Sequence, residues 1–199
     1  MSRSGTMAVV GVAVVALAAA TARADNAGFL RINVDFPNLP IGAKPIWSWE
    51  PDGQNASLQL TELLGRALLG PDGSFRANVS GETDVDPVLT ITKDVTNDTG
   101  TPWIGYDVTL APTDLATFVA GEATSDTLTL SSESDHALSY GLPSPVANDQ
   151  TVRFVFDVLV PSGGTFGFTL TQTPVPIPEP ATVSFMALGG LAILRRRRA

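Results

Sequence analysis

The sequence has no cysteine and a single histidine, His136. The first absence excludes disulfides, thiolate nucleophiles and cysteine-held metals. The second excludes the usual multi-histidine metal sites, and no metal or other cofactor is expected. No Gly-x-Ser-x-Gly turn occurs, so no hydrolase-type serine elbow is present. Basic residues are scarce away from the two ends. Residues 25–180 hold six of them (Arg31, Lys44, Arg66, Arg76, Lys93 and Arg153) against all twenty acids, a formal charge of −14. So acidic a surface repels phosphate backbones and argues against a nucleic-acid partner.

The 199 residues suit one domain of ordinary size with targeting segments around it. Residues 1–24 have the layout of a secretory signal peptide. Arg3 gives a short basic start, and an apolar run of Ala, Val, Gly and Leu follows from Met7 to Ala20. Ala22-Arg23-Ala24 puts small residues where a signal peptidase needs them, and cleavage would leave Asp25 at the new N-terminus. The apolar run falls short of the roughly 20 residues needed to cross a bilayer. Without cysteines, an exported domain must be held by its core alone.

Residues 25–172 alternate apolar and polar positions in short runs separated by turn residues. Leu30, Ile32, Val34 and Phe36 fall on one side of the first run, with Arg31, Asn33 and Asp35 on the other. A loop rich in proline then leads to Trp47 and Trp49, which share one face of an extended piece. Residues 58–69 are ambiguous. Leu60, Leu64 and Leu68 recur at helical spacing and predict a short helix. Leu58 and Leu60 alternate, and Gly65 weakens a helix, so a strand is the alternative. Phe75, Ala77 and Val79 mark another strand. Residues 88–95, with Leu89, Ile91 and Lys93 alternating, and residues 103–110 flank a polar turn and read as a hairpin. One helical turn is expected between Pro112 and Phe118, a strand over 126–131 and a loop over 141–150. The longest alternation is Val152, Phe154, Phe156, Val158 and Val160. Phe166, Phe168 and Leu170 end the series. The expected fold is mostly β, an antiparallel β-sandwich of jelly-roll or immunoglobulin-like topology. An N-terminal signal helix and a C-terminal transmembrane helix would flank it.

Candidate chemistry within this domain is sparse. Glu82, Asp84 and Asp86 put carboxylates on one face of an extended chain. No further acidic ligands follow at calcium-loop spacing, so a solvated turn is the simpler reading. Trp103 begins an amphipathic strand and is expected in the core. Trp47 and Trp49 are the candidates for stacking on sugar rings. Asp107 and Asp157 could in principle face a glycan cleft, but nothing in their spacing selects them. Asn55, Asn78 and Asn97 open glycosylation-type triplets, read as coincidences of composition. The chain is not expected to be an enzyme.

The end of the chain is the most specific stretch. Residues 173–180 hold Pro174, Pro176, Pro178 and Pro180 at alternate positions and predict an extended linker. Fourteen uncharged residues follow, 181–194, about 21 Å of helix. That is marginal against a hydrocarbon core of roughly 30 Å. Arg195, Arg196, Arg197 and Arg198 then form a block that stops transfer and stays cytoplasmic.

Pro178-Glu179-Pro180-Ala181-Thr182, the apolar run and the arginine block together resemble the PEP-CTERM sorting signal of exported bacterial proteins. The same signal is catalogued as an ice-binding protein C-terminal motif. Ice binding itself needs a regular threonine array, and the Thr-x-Thr fragments at Thr90 and Thr127 do not repeat. The resemblance covers residues 176–199. It implies recognition by an exosortase, cleavage near Pro178, Glu179 and Pro180, and transient anchoring in the inner membrane. It further implies delivery to a cell surface or exopolysaccharide matrix. The cargo would then be structural or adhesive, and the alternative is a glycan-binding or glycan-cleaving module.

Overall fold

The computed structural model describes residues 28–37, 45–83, 87–161 and 164–177. The expected signal peptide, with Ala22, Ala24 and Asp25, lies outside the described residues. So do Asp84 and Asp86, the Pro178-Glu179-Pro180 motif, the expected transmembrane helix and Arg195 to Arg198. Among the described residues no helix is long and apolar enough to cross a membrane.

The described residues form twelve strands, in chain order β1 Phe29–Asp35, β2 Ile46–Asp52, β3 Asn55–Gly65, β4 Phe75–Thr83, β5 Val88–Asp98, β6 Trp103–Leu110, β7 Thr117–Phe118, β8 Thr124–Ser125, β9 Thr129–Ser134, β10 Ala137–Val146, β11 Thr151–Leu159 and β12 Gly164–Pro176. One sheet has the order β1-β4-β12-β6-β10-β9. The other has the order β2-β3-β5-β11-β7, with β8 also paired to β11. The inward side chains of both sheets form one apolar core, which includes Leu58, Ile91, Val108, Phe154 and Leu170. The mostly-β expectation holds. The sheets are not wholly antiparallel, because β3 and β5 run parallel, from Ala56 opposite Leu89 to Gly65 opposite Asp98.

Several elements differ from the sequence reading. Residues 58–69 are strand β3 followed by a single 3-10 turn, Arg66–Leu68. The leucine spacing of four that suggested a helix is also an even number, so Leu60 and Leu64 share the inward face of a strand equally well. Leu63 is 58% exposed on the other face. Residues 117–118, expected to end a helical turn, pair with β11 instead. Strand β10 runs through much of the expected loop 141–150. Leu30 faces solvent, since the register of β1 against β4 shifts between Phe29 and Arg31 and turns Leu30 outward while Phe29 is buried.

The expected hairpin of residues 88–95 and 103–110 does not form. Strands β5 and β6 lie in different sheets, and the polar connection between them is a corner. Asn97 holds it. Its side-chain nitrogen donates to the carbonyls of Thr101, Val146 and Ala147 at 3.0–3.2 Å. Its side-chain oxygen accepts from the Thr99 amide and hydroxyl. Trp103 is buried as expected, and its Nε1 donates to Thr99 Oγ1 at 3.0 Å.

Candidate functional site

Four of the residues expected in the linker, 173–176, are strand instead. Residues 173–176 are the last part of β12, which is paired to β6 as far as Pro176 opposite Trp103. On its other side β12 is paired to β4 only up to Gln172 opposite Phe75. Pro174 and Pro176 therefore fall where the strand has one neighbour, the position in which a missing N–H is tolerated. The Ile177 amide closes the strand with a hydrogen bond to the Pro102 carbonyl at 3.0 Å. Pro178 follows directly in the sequence. Ile177 thus directly follows the strand that occupies the third place in a six-stranded sheet.

Trp47 and Trp49 lie in strand β2, opposite Leu60 and Leu58 of β3. Both are half-buried and pack against the core. Beside Trp49 is a shallow depression of about 120 Å³, lined also by Ser48, Glu50, Ser57 and Gln59. Small-molecule pockets are usually about 300–1,000 Å³, so this one is too small to enclose a sugar ring and its neighbours. Asp107 and Asp157 do not come together. Each is on an outward position of its strand, one in each sheet, with Tyr106 and Phe156 beside them pointing inward. Glu82 pairs with Arg31 at 3.3 Å on the surface. Among the described residues no group of three or more acidic or histidine side chains could hold a metal ion. Asn97 is fully buried and its nitrogen is spent on carbonyls, which removes it as a glycan acceptor.

Inside the sandwich lies a polar cluster that is not among the candidate sites. Lys93 of β5 is 0% exposed, Glu62 of β3 2% and Gln172 of β12 0%. Lys93 Nζ donates to Glu62 Oε1 at 2.7 Å. Gln172 Nε2 donates to the same oxygen at 3.4 Å. Tyr106 Oη donates to Gln172 Oε1 at 2.6 Å. A carboxylate can only accept, so the amide nitrogen must face Glu62 and its carbonyl must face the phenol. Glu62 Oε2 is buried with no partner among the described residues. Burial pulls the Lys93 amine below its ordinary range, against the opposing pull of Glu62. Burial, and then the Glu62 charge, holds the Tyr106 phenol well above its ordinary range and so in its donating form.

A signal for this cluster is present in the sequence. Leu58 and Leu60 lead inward to Glu62, Leu89 and Ile91 to Lys93, and Phe168 and Leu170 to Gln172. Three strands each place a polar residue where the alternation calls for an apolar one.

The described residues form a β-sandwich whose last strand, β12, is followed in the sequence by the C-terminal segment. Residues 176–198 match the family model described as the PEP-CTERM protein-sorting motif. Pro178, Glu179, Pro180 and Arg195 to Arg198 all fall within the match. The motif implies an exosortase as processing partner, and export with transient membrane anchoring before processing. No curated protein matches the chain.

Proposed function

We propose that this protein is a non-catalytic structural or adhesive component of a bacterial surface or extracellular matrix, delivered there by its C-terminal signal. The observation that carries the reading is the sorting motif at residues 176–198, set directly after the final strand of a densely packed acidic sandwich. In this reading the signal peptidase acts after Ala24, the inner membrane holds the tail briefly, and the exosortase cuts near Pro178-Glu179-Pro180. Glu179 is then a recognition residue on a substrate. The released domain carries its negative charge outward, which keeps copies apart in solution and leaves association to polysaccharide or divalent counterions.

The test is to express the full chain in a host with an exosortase and in the same host without it. The expected result is a mature protein lacking residues 181–199 in the first host and a membrane-retained protein in the second. Replacing Pro178, Glu179 and Pro180 with alanine should reproduce retention. Recovery of mature protein that still carries the arginine block in the first host would overturn the processing reading.

A further inference from the structure

We propose that Lys93, Glu62, Gln172 and Tyr106 form a self-modifying site, in which the Lys93 amine displaces ammonia from the Gln172 carboxamide and joins the two sheets by an isopeptide bond.

Each reacting part is in place. Lys93 and Gln172 lie on strands of opposite sheets, β5 and β12, and both contact one oxygen of Glu62. A carboxylate placed between an amine and an amide nitrogen is positioned to move a proton from the first to the second. Tyr106 donates to the amide carbonyl oxygen, where negative charge develops during attack, and acts as an oxyanion donor. All four side chains are closed off from water, so the amine has no competing nucleophile. The fold holds the reactants as neighbours and removes the entropic cost of bringing them together.

The step balances without a redox partner. Proton transfer within the Lys93–Glu62 pair gives a neutral amine and a neutral carboxyl, which burial of the amine favours. The lone pair of Nζ attacks Cδ of Gln172 and forms the new C–N bond. Glu62 gives a proton to Nε2 and takes one from Nζ. The bond from Cδ to Nε2 breaks and ammonia leaves; Glu62, left as the neutral carboxyl, gives its remaining proton to the departing ammonia and is a carboxylate again. The product replaces a buried amine and amide with one neutral secondary amide. That removes a potential ammonium from the core, where an incompletely satisfied ion pair is costly.

The experiment is mass spectrometry of the purified full chain after denaturation, with tryptic mapping to separate this change from processing at the ends. The expected result is a species lighter by one ammonia, a branched peptide joining the Lys93 and Gln172 segments, and no tryptic cleavage after Lys93. Glu62→Gln should abolish the branch, and Lys93→Met should restore the full mass. An unmodified wild-type mass with cleavage after Lys93 would overturn the proposal. Loss of one water would assign the bond to Lys93 and Glu62 and overturn the Gln172 assignment. A branch that persists in Glu62→Gln would overturn the role given to Glu62.

Discussion

Tyr106 of β6 and Phe154 of β11 stack across the interior of the sandwich, with ring centroids 4.7 Å apart and planes 21° from parallel. Tyr140 of β10 meets the same Phe154 edge-on at 4.9 Å. One ring of β11 therefore meets two aromatic side chains of the opposite sheet. Phe154→Ala should cost about 3–5 kcal/mol, the range for a buried phenylalanine that leaves a cavity. Urea unfolding of the wild type and the variant measures it, and a loss below 1 kcal/mol would show that the sheets close over the gap.

Asn97 should be equally hard to replace, for a different reason. Asn97→Ala leaves three buried or half-buried carbonyls and the Thr99 amide short of a partner. The expected loss is on the order of 3 kcal/mol. Asn97→Asp should be at least as damaging, because it sets an anion against those carbonyls. Among the described residues the Asn78 side chain has one hydrogen bond, from Thr169 Oγ1, and Asn78→Ala is the control, with an expected loss of about 1 kcal/mol. Equal losses at both sites would refute the corner as a special feature.

Gly81 has no room for a methyl group. A Cβ there would come within 2.0 Å of the Arg31 carbonyl and 2.7 Å of the Phe166 ring. Since the first obstacle is backbone of β1, the strand itself must move. Gly81→Ala should destabilise the domain at the upper end of about 1–3 kcal/mol. It should also speed hydrogen exchange at Ile32 and Val34 more than at Phe154. Uniform exchange across these sites would instead mean that β1 does not detach separately.

Acid should weaken the fold through Asp94. Arg153 binds its carboxylate with two hydrogen bonds, at 2.7 and 3.0 Å, from the position directly opposite on β11. The pairing with Arg153 holds the Asp94 carboxyl below its ordinary value of 3.8. A carboxyl lowered in the folded state contributes stability above its unfolded value and loses it as pH falls through the folded value. The melting temperature should therefore drop more steeply for the wild type than for Asp94→Asn as the pH is taken below about 4. Parallel curves would exclude Asp94 as a source of the acid sensitivity.

The strands of this fold were largely legible, because alternation reports burial directly. Val152 to Val160 and Phe166 to Leu170 sit where the pattern puts them. Partner choice was not legible. The polar segment after Asn97 has the composition of a hairpin turn, and only the carbonyls of Val146 and Ala147, distant in sequence, make it a corner. The prolines after Thr173 read as a linker because proline lacks a donor, and that lack is harmless on a strand with one open side. Of the internal cluster, Lys93 alternates in step with Leu89 and Ile91, which places it in an inward row. Glu62 is hidden by the helical spacing of the leucines in residues 58–69. Gln172 is hidden by the prolines that follow it, which put the apparent end of the strand at Leu170.

The position of β12 has a mechanical consequence. A load applied at Ile177 along the chain enters a strand that is laddered to β4 on one side and to β6 on the other. Pulling along that axis loads the ladders in shear, the β6 ladder of residues 170–176 first and the β4 ladder of residues 164–172 behind it. While the tail is held in a membrane, this is the geometry in which the domain meets drag from its surroundings.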